Sequence, residues 1–295
     1  MRKLIIILII AAAPVFQYLT AGVDEVLSFM SKKNVEGYIK PLVTSLGVGL
    51  NSGMYHNAEV SEKISGGFSM RALIIFIPED QKSFTPYLPA GYTSGSTSTV
   101  YGGDPGYAYG TGGFVSYPGG FEVDNLPMGF PQMTLAWKGT ELSAKFIPTQ
   151  KIGTEREEFY FYSFAIKHEV TRYFKKLPFD GAVQFGIGKM KFSDQLDFDN
   201  FVINLIASRK FGLFTIYGGT GFQFTRVDAN YSITGDPDNA DPELREAKDV
   251  SLTIKGDNSF GITAGTSLRL GFFVLNADYT YNSQSVISTG MSFEF

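Results

Sequence analysis

The chain has 295 residues, of which 44% are hydrophobic, 18% charged and 15% aromatic, with 33 Gly, no Cys and a formal charge of −4. An average soluble domain carries about 25% charged residues and about 7% Gly; this chain is poor in charge, rich in Gly, and rich in Phe (27) and Tyr (16). That balance excludes a disordered chain, a coiled coil and a disulfide scaffold, and with no Lys/Arg run longer than two it excludes nucleic acid as a partner. No run of 18 apolar residues is present, so no helix is expected to span a bilayer.

In chain order, the first feature is an export signal. Arg2 and Lys3 form a basic start, Leu4 to Phe16 is an apolar run, and Leu19-Thr20-Ala21 ends on a small residue. The run is too short for a bilayer and the right length for a signal-peptide core, which predicts residues 1–21 as a cleaved signal peptide. Cleavage takes the formal charge from −4 to −6, and without cysteine there is no thiol to acylate. Val23, Val26, Leu27 and Met30 then recur at helical spacing, so 23–33 is expected to be a short amphipathic helix, with 22–40 as helix and link. Its apolar stripe must be covered, and the periplasmic mouth of the following domain is the expected docking surface. Residues 41–51 alternate Leu46, Val48 and Leu50 with Ser45, Gly47 and Gly49, a pattern that allows a strand.

Strand periodicity dominates from residue 64 onward. Strands are predicted near 64–77, 131–138, 141–148, 158–169, 181–192, 198–209, 212–228, 257–270, 272–282 and 285–295. The last is the clearest: Ile287, Thr289, Met291, Phe293 and Phe295 fall on one face, and Ser288, Gly290, Ser292 and Glu294 on the other. A chain ending on Phe inside its last strand suits a closed membrane barrel, where aromatics gather at the interface. The connections sort by side. Lys138-Gly139-Thr140, Arg209-Lys210-Phe211 and Leu270-Gly271-Phe272 are tight and fall at one end, whereas 78–130, 149–157 and 229–256 are long and fall at the other; Asn282-Ser283-Gln284 makes one short turn on the long side. Short periplasmic turns opposite long external loops are the mark of outer-membrane barrels. The fold class is therefore all-β: a transmembrane antiparallel β-barrel of about 10–12 strands with a short N-terminal helix. Residues 41–295 form the barrel, with long outer loops at 78–130 and 229–256.

Four motifs carry a family resemblance: Gly49-Leu50-Asn51-Ser52-Gly53-Met54-Tyr55-His56-Asn57-Ala58, Leu177-Pro178-Phe179-Asp180, Phe214-Thr215-Ile216-Tyr217-Gly218-Gly219 and Asn276-Ala277-Asp278-Tyr279-Thr280. On these the chain resembles an uncharacterised, unknown-function family of Gram-negative outer-membrane β-barrel proteins, over roughly residues 23–295. The resemblance implies location and fold and assigns no chemistry. It also implies that 41–58 belongs to the folded unit.

Candidate functional residues fall in three groups. Alternation places Arg71, Lys167, Gln184, Asn204, Arg269, Asp278 and Glu294 on the lumen side, where mixed charges either neutralise one another or line a conduction path. Tyr92, Tyr101, Tyr107, Tyr109 and Tyr117 lie among glycines in 91–120, a mixture of rigid contact area and adaptable backbone suited to surface recognition or to shielding the mouth. The acidic stretch Asp236-Pro237-Asp238-Asn239-Ala240-Asp241-Pro242-Glu243 could attract a cation but fails EF-hand spacing, so no metal site is assigned. His56 and His168 are the two histidines, and no motif of hydrolytic chemistry surrounds them. No catalysis and no cofactor are expected. The expected partners are outer-membrane lipid and, through the C-terminal strand, the barrel assembly machinery; any small-molecule ligand is unassigned. Two functions compete: a narrow channel or facilitator for small solutes, apolar ones included, gated by the N-terminal helix, and a surface-exposed binding or structural barrel acting through its Tyr/Gly-rich and acidic loops. A barrel hydrolase ranks third. Mass spectrometry of the membrane fraction is expected to find the mature terminus at Gly22 or within a few residues of it; an intact Met1 would remove the export signal.

Overall fold

The computed structural model describes residues 23–111, 113–152, 157–174, 177–192 and 195–295. The predicted signal peptide, 1–21, lies outside the described residues. Ten strands form the wall: β1 (Ser65–Phe76), β2 (Asn125–Trp137), β3 (Thr140–Ile152), β4 (Glu157–Glu169), β5 (Asp180–Phe192), β6 (Leu196–Phe211), β7 (Phe214–Ile233), β8 (Phe260–Leu270), β9 (Phe273–Tyr281) and β10 (Val286–Glu294). Each pairs antiparallel with its chain neighbours, and β1 pairs with β10 in the register Gly67↔Glu294 to Ile75↔Val286, so the sheet closes on itself. Closure removes the sheet edge, which is the condition for a β-structure to sit in hydrocarbon.

The tight turns carry the residues that such turns require. Between β2 and β3, Lys138 and Gly139 both have positive φ (51° and 73°), the two-residue geometry whose twist matches that of the strands. Between β6 and β7 the turn is Gly212-Leu213 rather than the predicted Arg209-Lys210-Phe211, because β6 runs on to Phe211 opposite Phe214. The long-loop end also differs from expectation. The strand after the first loop begins at Asn125, not 131, and includes Pro127 and Pro131. It pairs with β1 along its length but with β3 only from Gln132 onward, so both prolines sit at or before the point where the second ladder begins. The acidic loop is shorter than predicted, since β7 continues to Ile233 and pairs with a further strand, Lys248–Lys255, in a hairpin standing beyond the ten-stranded wall. Within 91–120, Tyr92–Ser94, Gly106–Gly110 and Gly113–Tyr117 form a small sheet of their own.

Exposure is inverted relative to a soluble protein. Met133, Leu135, Phe164, Ile187, Phe201 and Phe224 point outward and are exposed, while Arg71, Lys145, Lys167 and Gln184 point inward and are buried. A belt of exposed apolar side chains around a polar interior is the pattern that hydrocarbon imposes on a barrel wall.

The interior is occupied by the N-terminal segment. Helix α1 (Val23–Ser28) is followed by α2 (Lys32–Asn51), so the predicted helix over 23–33 continues far past its expected end, and the proposed link 34–40 is helical. The strand allowed for 41–51 is the buried second half of α2. The reason is hydrogen bonding: inside a closed wall no ladder partner remains for an added strand, whereas a helix satisfies its own backbone. The docking surface also differs from expectation. α1 packs against the outer extension of β7, Lys32 N bonds Glu243 of the acidic loop, and Val100 N bonds Tyr38 O; the helices enter from the long-loop end and not from the periplasmic mouth. Ile39, Leu42, Val43, Leu46 and Leu50 then pack with Ile75, Leu126, Met128, Phe130, Phe198 and Val227 of the wall in one core. Gly47 and Gly49 let the helix approach that closely, since a Cβ at either would run into Thr225 and Asn258 or into Met128 and Ile75.

After α2 the chain continues through the lumen and leaves at the tight-turn end, where Lys138 N and Gly139 N bond Glu62 O and Ser61 O. The N-terminal segment therefore threads the barrel from one end to the other before β1 begins. Leu46→Ala is expected to cost about 2–5 kcal/mol, as for a buried leucine in any packed core, and Ala277→Arg on the outward face about 2–4 kcal/mol near the bilayer midplane. Urea unfolding of the lipid-reconstituted barrel measures both.

Candidate functional site: the filled lumen and its vestibule

The polar side chains that alternation sends inward bind the threaded segment in layers. At the end of α2, Lys145 Nζ donates to Leu50 O (3.3 Å) and Ser52 O (2.7 Å), carbonyls that the helix itself leaves free. Beside it Asn51 exchanges hydrogen bonds with Asn200 (2.7 and 3.0 Å) and donates to Gln223 (3.1 Å), while Asn258 bridges Gln223 and Thr225. A buried amide must be paired to be tolerated, and these residues pair one another.

The next layer holds residues 52–58. Gly53 turns the chain with φ +61°, and Gly290 leaves the room that the Arg71 side chain occupies. Arg71 donates to Asn276 Oδ1 and reaches His56 Nδ1 at 3.1 Å. Because a guanidinium only donates, His56 Nδ1 accepts and the ring carries its proton on Nε2, which faces Glu294 Oε1 at 2.9 Å. The other Glu294 oxygen meets Arg269. Tyr217 donates to Asp278 at 2.9 Å and receives from Asn276 at 3.3 Å. Lys167 lies 3.2 Å from Glu141 and 3.4 Å from Asn57. Met54, Tyr55 and Ala58 fill the remaining space against Ala165, Ala182, Val202, Ile206 and Tyr217.

Below this layer, at the tight-turn end, a cavity of about 600 Å³ opens, lined among others by His56, Glu141, Glu169, Asp180, Arg269 and Glu294. Met54 to Asn57 form its floor. A second void, between Tyr55, Asn204, Gln223 and Asp278, is about 10 Å³, room for one water.

All seven lumen candidates face inward. Arg71, Asp278, Arg269 and Glu294 meet in one network through Asn276, Tyr217 and His56; Gln184 pairs with Asn204 (2.9 Å) on the opposite wall, and Lys167 holds Asn57. The five tyrosines divide. Tyr107 and Tyr109 are exposed and Tyr92 is half-buried, but Tyr101 and Tyr117 are buried. Tyr101 donates to Ser45 of α2 at 2.8 Å, and its burial raises its phenol above the ordinary value; Tyr117 donates to Tyr87 O at 3.3 Å. Tyr101 ties the loop to α2, whereas Tyr117 braces the loop internally at Tyr87, whose backbone in turn pairs with Asn34 of α2; neither presents a surface. In the acidic loop Asp241 and Asp236 serve the loop's own turns, accepting from Glu243 N and Asp238 N, while Glu243 accepts from Lys32 N of α2. Among the described residues no group of three or more His, Asp or Glu is arranged to hold a metal ion.

Sequence reasoning missed His56, Lys145, Asn51, Asn276 and Tyr217. Lys145 was on the inward parity of its strand, and Tyr217 and Asn276 lay in the resemblance motifs. Asn51 and His56 lie in another motif, whose lumen placement no periodicity could show.

The fold and its filled lumen define a transmembrane β-barrel of the outer-membrane type, closed by its own N-terminal segment. The chain belongs to the family of unknown function DUF6588, whose model matches residues 1–295. Among curated proteins none matches it by sequence. Similar solved structures include the outer membrane protease OmpT of Escherichia coli (7% identity, 83% of this chain and 99% of that chain, TM-score 0.38). A loop-deletion mutant of OmpT, an outer membrane protein of Vibrio cholerae, matches at 10% identity, covering 79% and 98%, with TM-score 0.28. Neisserial surface protein A matches at 11% identity, covering 78% and 97%, with TM-score 0.27. Lys145→Met keeps the side-chain stem and removes the donor to two buried carbonyls; it is expected to cost about 1.5–3 kcal/mol, read from the shift in the urea midpoint.

Proposed function

We propose that the protein is an outer-membrane barrel that does not conduct in its resting form and acts through its external loops as a binding or structural barrel, without catalysis. The observation that carries this reading is the core between α2 and the wall. Withdrawing Ile39, Leu42, Val43, Leu46 and Leu50 into water would cost on the order of 10 kcal/mol, far more than a gate can release in routine opening. The platform above the helix is anchored by Tyr101 and Tyr117 and leaves Tyr107, Tyr109 and Phe114 exposed at its rim, with Tyr107 and Phe114 edge to face at 6.1 Å. Export through the N-terminal signal and assembly through β10 complete the proposal.

The vestibule favours a second reading, a facilitator in which 52–58 alone moves while α2 stays. Planar-bilayer recording separates the two. The full chain is expected to show no ion conductance, and deletion of 23–51 is expected to lower stability sharply. Steady conductance from the intact chain would overturn the closed-barrel reading and favour the facilitator.

A further inference from the structure

The outward face carries a charged patch whose position is fixed by strand register. Phe164 (β4), Ile187 (β5), Phe201 (β6) and Phe224 (β7) are cross-strand partners and form one apolar rung of the membrane belt. Two residues further toward the long-loop end on the same face, about 7 Å along each strand, the rung becomes Tyr162, Lys189, Asp199 and Arg226, continued by Lys255 of the outer hairpin. The rung above holds Tyr160, Lys191, Asp197, Asp228 and Thr253. The change from hydrocarbon to charge is complete within one rung, so the lower charged rung lies at the headgroup level of the leaflet facing the long loops.

That rung carries three cations against one carboxylate. Asp199 sits between Lys189 (3.9 Å) and Arg226 (2.8 Å), holding both long side chains against the wall, and Lys255 extends the positive side beyond Arg226. Lys189 and Arg226 keep nearly half of their side-chain surface exposed, so their remaining donors are open to a ligand. Tyr160 and Tyr162 stack within 4° of parallel beside the two lysines, an aromatic anchor at the same depth. Among the described residues, the outward side chains at this end of β1, β8 and β9 are the uncharged Phe76, Phe260 and Tyr281.

We propose that this patch binds the phosphate groups of a phosphorylated glycolipid in the outer leaflet, the acyl chains lying on the Phe164–Phe224 rung and the phosphates on Lys189, Arg226 and Lys255. Charge complementarity and continuity with the lipid-facing belt identify the occupant. The inference rests on the membrane reading above.

The test uses the intact barrel in neutral detergent, titrated with a bisphosphorylated glucosamine lipid, the same lipid without phosphates, phosphatidylglycerol, and inorganic phosphate, with bound lipid counted by native mass spectrometry. The bisphosphorylated lipid is expected to bind best and inorganic phosphate not to compete at equal concentration. The K189Q/R226Q/K255Q variant is expected to lose about tenfold or more in affinity. K255Q alone, outside the ten-stranded wall, keeps the test open if the triple variant does not fold, and is expected to lose a few-fold. Asp199→Asn removes the competing carboxylate and is expected to tighten binding, a gain that a merely structural role would not produce. Equal binding of the dephosphorylated lipid, or unchanged affinity in the cation variants, would overturn the proposal. Failure of the membrane reading gives a different result: a barrel that stays folded and monomeric without detergent.

Discussion

The structure depends on one constraint: in hydrocarbon, no backbone donor or acceptor can be left for water. The wall meets it by pairing every strand with two neighbours and closing β1 on β10. Closure moves the problem inward, because ten strands enclose a space too wide for wall side chains alone. The chain fills that space with its own α2, which satisfies its own backbone along most of its length, and supplies Lys145 as a donor to the carbonyls at its end. The polar interior is then largely a set of fastenings for residues 51–58, in which Lys167 pairs with Glu141 and Arg269 with Glu294, while Arg71 and Lys145 bond Asn276, His56 and backbone carbonyls.

Much of this was legible in the sequence, for physical reasons. A lipid-facing strand must alternate, so Ile287 to Phe295 and Phe273 to Tyr281 announced their faces. Parity of short and long connections gave the barrel its two ends. What escaped were elements whose surroundings, not their own pattern, decide their conformation. Residues 41–51 alternate as a strand would and hold two Gly and two Val, yet they are helical because they lie inside a finished wall. The strand predicted from 131 in fact begins at Asn125 and takes in Pro127 as well as Pro131, both tolerated where its second ladder has yet to begin. Tyr101 and Tyr117 resembled a recognition surface in composition, and only the fold shows that they face Ser45 and Tyr87 O.

The site was legible in part. The inward parity of Arg71, Asp278 and Glu294 followed from strand period alone. That Arg71 and Glu294 meet at one histidine did not, since His56 reaches them from a segment without periodicity.

The threaded segment has a consequence for how the molecule comes together in time. Ser45 bonds Gln284 across 239 residues of chain, Lys32 bonds Glu243 across 211, and Arg71 bonds Asn276 across 205. Such distant contacts make loop closure a dominant entropic barrier and folding slow. The Ser45–Gln284 and Arg71–Asn276 contacts form only once the last hairpin has docked, so the lumen is completed late in folding. The same contacts tie early and late parts of the chain together, so the barrel cannot open one hairpin at a time without also unfastening its centre. A molecule assembled in this order is protected by the slowness of its unfolding as much as by its equilibrium stability.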